Sequence, residues 1–312
     1  MTGALAGRHL FVFGAGYAAG RTAARVRAAG AQVSVTTRDP VRAADLTLAG
    51  LRVHLFDADR PAAADSLRDW LNGVTDILVS IPPDGAAAPE TACPALAALV
   101  ASGAEVPDLC WIGYLSSTGV YGDCGGAWID ETRTPAPATL DAKGRIGAEQ
   151  GWQALADRKG AALDILRIAG IYGPGPRNAL AQMRSGRARA IDKPGQVFNR
   201  IHVDDIAGAI VAAMSHPRGT RLLNLADDRP AASADVLDHA ADLLGLPRLP
   251  RLPFDQADLP PMAGAFWAEN RRLCNDRLKA LPGFALLYPG YREGLAAILA
   301  EDSTKKEPAH AM

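Results

Sequence analysis

Two glycines and an alanine near the start of the chain have the spacing of a phosphate-binding turn. Gly14, Gly16 and Ala19 come directly after the first apolar run and open an Ala-rich stretch. In a strand-turn-helix unit the first glycine makes the tight turn and the second leaves room for a diphosphate, while a small third residue lets the helix pack closely. The pattern therefore predicts a dinucleotide-binding turn.

The helix that follows this turn begins around Tyr17 and Ala18. Backbone N–H groups at a helix start bind phosphate, helped by the positive end of the helix dipole, so we assign both residues to the same site. A glycine turn of the kind found in any strand-helix unit is the alternative interpretation. The position after a first strand and before a helix favours the dinucleotide.

The end of the second predicted strand bears on which dinucleotide is bound. Thr36 and Thr37 stand where an acidic side chain would accept from the ribose 2′-hydroxyl, and Arg38 follows them. Arg38 is suited to pair with a 2′-phosphate, which favours NADP over NAD. In the alternative, Arg38 is a solvated surface charge and Asp39 is the ribose acceptor.

Asp57 closes the third predicted strand and is placed to meet the adenine edge, or else to cap the helix that follows.

Beyond this dinucleotide pattern, the sequence has no His, Ser and Asp spacing of a hydrolase and no cluster of metal-ligating side chains. Its four cysteines lie at least 14 positions apart, too far for a zinc knuckle or redox pair. We therefore expect no metal.

Composition excludes several classes of protein. The chain has 312 residues, 48% of them hydrophobic, and a net charge of −1, which gives no field to attract nucleic acid or an anionic membrane. No apolar run approaches the roughly 20 residues of a membrane span, and the first residues lack the order of an export signal. We expect a cytoplasmic protein with neither nucleic acid nor membrane as partner.

Short apolar runs alternate with Ala-rich helical stretches through the first half of the chain. The runs lack polar alternation, which is typical of strands buried on both faces of a parallel sheet. This alternation predicts an α/β fold with a doubly wound parallel sheet. The predicted strands are 9–14, 32–37, 52–56, 76–81, 109–115 and 163–168, and the predicted helices lie near 18–29, 61–72, 90–102 and 143–159.

Beyond residue 170 the pattern becomes less regular, and proline and glycine clusters interrupt it. A strand and helix are predicted within 197–214, a strand at 221–226 and a helix at 233–245, whereas 246–264 is too rich in proline for regular structure. We divide the chain into a dinucleotide-binding domain (1–170), a smaller lobe interleaved with the end of the sheet (171–300) and a flexible tail (301–312).

Four segments in order resemble the extended short-chain dehydrogenase/reductase family of the NAD-dependent epimerase/dehydratase type. They are the glycine turn and the segments Ser116–Gly122, Arg167–Gly175 and Arg200–Ala207. The resemblance implies a Rossmann-type sheet with a small C-terminal α/β substrate lobe, a site in the cleft between them, and possible pairing into a homodimer. It also implies that Ser80, Ile81 and Pro82 border the cofactor.

The sequence departs from this family at its acid/base pair. Members usually carry a YxxxK motif, in which the tyrosine transfers the proton and the lysine lowers its pKa. No tyrosine of this chain has lysine four positions later; alignment on Glu149 puts Asp141 in the tyrosine place and Arg145 in the lysine place. Arginine stays protonated, so it is able to hold ribose hydroxyls or phosphate but not to transfer a proton.

Three residues remain as catalytic candidates. Ser117 matches the family's hydroxyl that polarises the substrate, although Ser116 and Ser117 would equally satisfy backbone groups at a strand end. Tyr121 is the first choice for a displaced acid, and Arg145 for binding the cofactor. The sequence thus predicts an atypical NAD(P)-binding oxidoreductase or epimerase-like enzyme with an unknown small-molecule substrate; the alternative is a non-catalytic NADP-binding regulator or sensor.

Overall fold

The computed structural model describes residues 3–57, 62–84 and 92–306. Their strands are β1 (His9–Phe13), β2 (Gln32–Thr37), β3 (Arg52–Leu55), β4 (Asp76–Val79), β5 (Trp111–Ser117), β6 (Trp128–Ile129), β7 (Ala162–Ile168), β8 (Gly170–Tyr172), β9 (Ile191–Asp192), β10 (Arg200–His202), β11 (Thr220–Leu225), β12 (Leu252–Pro253) and β13 (Arg272–Leu273). Their helices are α1 (Tyr17–Ala28), α2 (Pro40–Leu48), α3 (Ala62–Trp70), α4 (Pro94–Ser102), α5 (Leu140–Lys159), α6 (Ala179–Arg184), α7 (Val203–Ser215), α8 (Ser233–Leu244), α9 (Pro261–Ala268), α10 (Asp276–Lys279) and α11 (Tyr291–Lys306), with 3₁₀ turns at Thr118–Tyr121 and Phe254–Gln256.

A parallel sheet forms the centre of the described residues, and its seven strands lie in the order β11-β7-β5-β4-β1-β2-β3. This order confirms the predicted Rossmann-type α/β fold. The chain leaves β1 toward β2 on one side and later returns to β4 on the other side. At such a switch in strand order the connections diverge and leave a crevice beyond the carboxyl ends of the strands, where ligands bind in this class of sheet.

The sheet is covered on both faces because its strands are apolar on both faces. Leu10 and Val12 of β1 belong to one buried cluster with residues of α1 and α7. Phe11 and Phe13 of the same strand point the other way, into a cluster with residues of α3, α4 and α5. Adjacent residues of a strand face opposite sides, so β1 alone anchors both helical layers.

The chain beyond residue 170 builds a second apolar core and also returns to the main sheet. Leu180 of α6, Leu237 of α8 and Leu295 of α11 pack together in this second core. Strand β11 extends the main sheet by pairing with β7, and α7 packs in the layer that contains α1. The second lobe and the dinucleotide-binding half are therefore built on one continuous sheet.

Two regions predicted to be irregular contain regular structure. Within 246–264, β12 pairs with β9 and α9 begins at Pro261, a position where the missing N–H of proline has no cost. Helix α11 continues to Lys306, so the first six residues of the predicted tail are helical, while residues 307–312 lie outside the described part. Among the described residues, none of the helices is long and apolar enough to cross a bilayer.

Candidate functional site

The glycine turn lies at the carboxyl end of β1 and requires glycine at its first position. Gly14 has φ +89°, and a Cβ atom on it would lie 2.9 Å from Cγ1 of Ile81. Its N–H donates to Oγ1 of Thr36 at 2.8 Å, which fixes the turn against β2. Both the backbone conformation and the close approach of the β4 end therefore exclude a side chain here.

Gly16 is glycine for a different reason. Its φ of −72° is open to any residue, and within 4 Å a Cβ atom on it would meet only Oγ of Ser80, at 3.8 Å. Gly16 precedes α1 and supplies no side-chain cap to the helix N–H groups. The turn thus leaves open space in front of uncapped amides, which fits the diphosphate of a dinucleotide.

Ser80 and Ile81, which follow β4, lie beside this turn, and Pro82 comes next in the chain; that they border a cofactor stays a prediction. The N–H of Ser80 donates to the carbonyl of Phe13 at 2.8 Å, which holds the segment against the end of β1. Ile81 is half-buried and packs against Gly14, whereas Pro82 is exposed. Ser80 and Ile81 form a wall of the candidate cofactor site, and Pro82 lies at its margin.

Tyr17 links the glycine turn to the second lobe. Its hydroxyl donates to the carbonyl of Pro174 at 2.8 Å, and the Arg177 guanidinium lies 5.4 Å from the centre of its ring. Burial raises the pKa of Tyr17, so the hydroxyl stays protonated and able to donate. The neighbouring Ala18 is buried against the sheet, so only its backbone N–H is offered to a ligand.

Two charged residues, Arg38 and Asp39, follow β2 and have different surroundings. Arg38 is exposed, while the Asp39 carboxylate caps α2 by accepting from the N–H groups of Val41 and Arg42. The Arg42 side chain reaches back over α1, with Nη2 3.6 Å from the place a Cβ atom of Gly20 would occupy.

Asp39 uses only its Oδ1 as the cap, so the alternative that assigned it to the ribose stays open. On the next strand, Asp57 follows β3 and is half-buried, with its backbone at the same edge of the sheet.

The end of β5 carries the serine segment. Oγ of Ser117 accepts from the N–H of Gly119 at 3.1 Å, as the structural alternative expected. Within the described chain its hydroxyl proton has no acceptor, so the O–H is able to donate to a ligand oxygen. Ser116 points into the protein and donates to Oε1 of Glu149 at 2.6 Å.

A buried ion pair anchors α5 beneath this segment. The Glu149 carboxylate accepts from Nε and Nη2 of Arg167 at 3.0 and 2.7 Å, and the two side chains are only 7% and 5% exposed. Helix α5 begins where Thr139 caps the N–H of Ala142 and ends at Gly160, which has a left-handed conformation. The pair and the caps fix the position of the first turns of α5, which face the end of β5.

The residues in the tyrosine and lysine places form an ion pair with each other. Nε of Arg145 donates to Oδ2 of Asp141 at 3.1 Å, across one turn of α5, and Nη1 of Arg145 donates to the carbonyl of Leu115 at 3.3 Å. Arg145 therefore lies against the end of β5, beside Ser117. The Asp141 side chain is 61% exposed.

Tyr121 is unsuited to the role of displaced acid that the sequence suggested. Its side chain is fully buried, its hydroxyl donates to Oδ1 of Asn224 at 2.7 Å, and Arg167 lies over its ring. Burial also raises the pKa of Tyr121. A hydroxyl with a protein acceptor and no access to solvent has no path to a ligand, so we interpret this tyrosine as packing.

A cavity of about 310 Å³ opens between the serine segment and the second lobe. Thr118, which follows Ser117, lies at one end, and α8 and α11 of the second lobe close the other. Charged and aromatic side chains line its wall, namely Arg177, Phe198, Arg200, Phe266, Glu269, Arg271 and Tyr291. The sequence did not identify these individually as site residues because they come from four separate segments that no single motif links.

Solved structures similar to this chain share its fold over nearly the whole length. A conserved protein of unknown function from Silicibacter pomeroyi is 40% identical, with a TM-score of 0.81 over 95% of this chain and 99% of that chain. A protein of the NAD-dependent epimerase/dehydratase type from Methylobacillus flagellatus is 26% identical, with a TM-score of 0.70 over 96% and 99%. MoeE5, solved with UDP-glucose and NAD, is 21% identical and shares the fold, with a TM-score of 0.72 over 96% and 100%.

Among curated proteins, a 3-diazoavenalumate denitrifying reductase from Streptomyces sp is 33% identical over 140 residues, which is 42% of this chain and 45% of the reductase. The chain thus matches less than half the length of this relative. No protein-family model matches it. The parallel sheet, the glycine turn and full-length similarity to solved structures together show a Rossmann-type fold that is similar to that of NAD-dependent epimerase/dehydratase-type proteins.

Proposed function

We propose that the protein is an NAD(P)-dependent oxidoreductase that acts on a small molecule held in the cavity beside Ser117, without a tyrosine-lysine acid/base pair. In this proposal residues 1–170 hold the dinucleotide and residues 171–300 supply most of the substrate site. A nicotinamide dinucleotide, when bound, supplies reversible two-electron redox chemistry.

The observation that carries this proposal is the contact between the glycine turn and the wall of the cavity. Tyr17, at the start of α1, touches Arg177, which lines the cavity. The space in front of Gly16 and the cavity therefore lie next to each other, at the carboxyl edge of the sheet. Such an arrangement favours two ligands bound side by side, as a cofactor and a substrate must be.

The residues at the end of β5 would bind and orient these ligands. The O–H of Ser117 is free to donate to a carbonyl or hydroxyl oxygen of the substrate, which polarises it. Arg145 is positioned beside it to donate to ribose hydroxyls, and its permanent charge excludes it from proton transfer. With Asp141 paired to Arg145, any proton that the reaction needs would come from solvent or from the substrate itself.

We further propose that NADP is preferred over NAD. MoeE5, which shares the fold, was solved with NAD. The fold by itself therefore does not decide between NAD and NADP, and the residues of this chain must. In this chain Asp39 is engaged in capping α2, whereas Arg38 is exposed at the same strand end and Arg42 lies one helical turn further on. Two guanidinium groups next to the expected ribose favour a 2′-phosphate.

A second candidate function is a non-catalytic NADP-binding regulator or sensor. The ion pair between Asp141 and Arg145 favours it, because a carboxylate and a guanidinium occupy the positions that carry proton transfer in related enzymes. Such a protein would bind the dinucleotide and change its affinity for a partner without turnover.

Transfer of an isotope label distinguishes the two candidates. We expect the protein to move deuterium from 4-deuterated NADPH to at least one member of a library of carbonyl compounds, as detected by mass spectrometry. Absence of transfer across the library, with NADPH binding intact by calorimetry, would reject the enzyme and support the regulator. The double substitution Asp141→Tyr with Arg145→Lys rebuilds the acid/base pair and should increase transfer to carbonyls by about 100-fold if a missing proton donor limits the rate.

A further inference from the structure

The two residues at the acid/base positions of α5 carry no net charge between them. Nε of Arg145 donates to Oδ2 of Asp141 at 3.1 Å, and Nη1 of Arg145 reaches the carbonyl of Leu115 at the end of β5. A tyrosine and a lysine at these positions would together carry one positive charge at neutral pH, because the tyrosine is neutral and the lysine protonated. The residues of this chain therefore make the end of β5 less positive by one charge than a YxxxK motif would.

The tyrosines closest to Ser117 in the chain have no route by which to give a proton to a ligand. Tyr114 is fully buried, and this burial raises its pKa. Tyr121 is equally buried and donates to Asn224. A third tyrosine, Tyr291, lines the cavity from α11, at the end opposite the serine segment. The O–H of Ser117 is able to donate a hydrogen bond, but a serine hydroxyl is too weak an acid to give up its proton at neutral pH.

These surroundings make neutral carbonyl compounds slow acceptors of hydride. A carbonyl that accepts hydride develops a negative charge on its oxygen, and that oxygen must then be protonated. A positioned general acid contributes about 100- to 10,000-fold to such a step. A site without one loses this factor with a carbonyl, whereas it loses nothing with an acceptor that is already cationic.

We propose that the substrate is an iminium ion, a cationic carbon–nitrogen double bond that accepts hydride in the cleft beside Ser117. This inference rests on the proposed function, since it names the class of substrate for the same site. The iminium carbon gains a C–H bond from C4 of the reduced nicotinamide, and the π electron pair of the double bond becomes the lone pair of a neutral amine nitrogen. The positive charge passes to the nicotinamide ring, so atoms and charge balance without a proton.

The charges around the site agree with a cationic acceptor. Arg145 is neutralised by Asp141, so the end of β5 repels a cation less than a lysine would. The basic residues Arg177, Arg200 and Arg271 lie on the second-lobe wall of the cavity, where they face the remainder of the substrate rather than its reacting carbon.

A matched pair of acceptors tests the proposal. The N-methyl-3,4-dihydroisoquinolinium ion and the ketone 1-tetralone have the same bicyclic skeleton and differ in the reacting bond. With 4-deuterated NADPH and the full chain, we expect kcat/KM for deuterium transfer to be at least about 100-fold larger for the iminium ion, after subtraction of the rate without protein. Equal values for the two acceptors would overturn the proposal.

Asp141→Asn tests the charge of the pair. The substitution leaves Arg145 without its carboxylate, so KM for the iminium ion should rise about fivefold while KM for tetralone stays the same. Calorimetric titration of the iminium ion into the protein without cofactor should show the same fivefold rise in Kd, which is a measurement independent of turnover. Because the Asp141 side chain is 61% exposed, we expect the variant to fold.

Asp242→Asn is the matched control for Asp141→Asn. Asp242 is also an exposed carboxylate paired with an arginine, Arg248, and neither residue lines the cavity. Its substitution should leave both acceptors unaffected. An equal rise in KM for both acceptors in Asp141→Asn, or an equal rise for the iminium ion in the two variants, would overturn the role of the pair.

The double substitution Asp141→Tyr with Arg145→Lys should narrow the preference from both sides. Transfer to tetralone should increase with the new proton donor, and KM for the iminium ion should rise about fivefold with the new positive charge. The failures are distinguishable. Transfer to tetralone as fast as to the iminium ion in the wild-type protein overturns this inference alone, whereas transfer to neither acceptor nor to any carbonyl compound, with NADPH bound, rejects the proposed function as well.

Discussion

The glycine turn and the first turns of α5 lie at the same edge of the sheet. The turn keeps the residue types of a dinucleotide-binding turn, whereas α5 lacks the tyrosine and lysine of a YxxxK motif. The turn has a glycine where the backbone needs it, open space at Gly16 and uncapped amides. Helix α5 retains its caps and its buried anchor, but an ion pair between Asp141 and Arg145 occupies the acid/base positions. The proposed dinucleotide site and the acid/base positions can therefore be tested separately.

The largest effect should come from breaking the buried ion pair between Glu149 and Arg167, which holds α5 in place. Glu149→Gln leaves Arg167 as a buried charge without an anion, so we expect the free energy of unfolding to fall by about 3–5 kcal/mol. Asp141→Asn, which breaks the exposed pair on the same helix, should cost about 0.5 kcal/mol. Urea unfolding of both variants measures the contrast, and equal losses would contradict the structural role of the buried pair.

Gly16→Val tests the glycine turn. A valine side chain would fill the space in front of the helix amides, with its Cβ in ordinary contact with Oγ of Ser80, so NADPH affinity should fall about 100-fold in a protein that still folds. Gly16→Ala, with a smaller side chain, should give an intermediate loss. Calorimetric titration measures both, and wild-type affinity in the valine variant would refute the dinucleotide site.

Arg38→Ala sharpens the choice of dinucleotide. Loss of this guanidinium should weaken NADPH about tenfold and leave NADH unchanged, because only NADPH carries the 2′-phosphate. Arg52→Ala is the control, since Arg52 is also exposed but lies at the amino end of β3. Equal loss of NADPH and NADH affinity in Arg38→Ala would remove the preference for NADP.

The smallest effect concerns the acid beside the cavity. Burial raises the pKa of Asp227 to about 7 from an ordinary value of 3.8, so the folded protein favours its neutral form. The stability that this form contributes is complete below pH 3.8 and is lost as pH rises through 7. Asp227→Asn should therefore gain about 1 kcal/mol over wild type between pH 6 and pH 7, as measured by thermal unfolding; a pH-independent difference would contradict the burial of this charge.

Most of the fold was predictable because the strands are apolar on both faces. The predicted strands at 32–37 and 163–168 match β2 and β7 within one residue. The helix at 233–245 matches α8, which ends before Gly245 in its left-handed conformation. Sequence patterns were misleading for 246–264, where β12 pairs with the distant β9 and α9 begins, and for 301–306, which continue α11.

The position of the glycine turn and of the segment after β4 was predictable because the residues of each are contiguous. Gly14, Gly16 and Tyr17 form one turn, and Ser80 and Ile81 directly follow a recognisable strand. The residues that line the cavity were not individually predictable, since Arg200 and Phe266 are 66 positions apart and no shared motif links them. The burial of Tyr121 also escaped the sequence, because its partner Asn224 lies 103 positions away.

The sequence by itself determined the parallel sheet, the turn that precedes α1 and the absence of YxxxK. These are properties of neighbouring residues, set by backbone freedom at glycine and by the apolar runs that form strands. Only the tertiary structure decided that Asp141 pairs with Arg145, that Tyr121 is sealed inside, and that Arg200 lines a cavity of the second lobe. Each of these depends on which distant segments meet, and on the cost of burying a charge or a hydroxyl where they do.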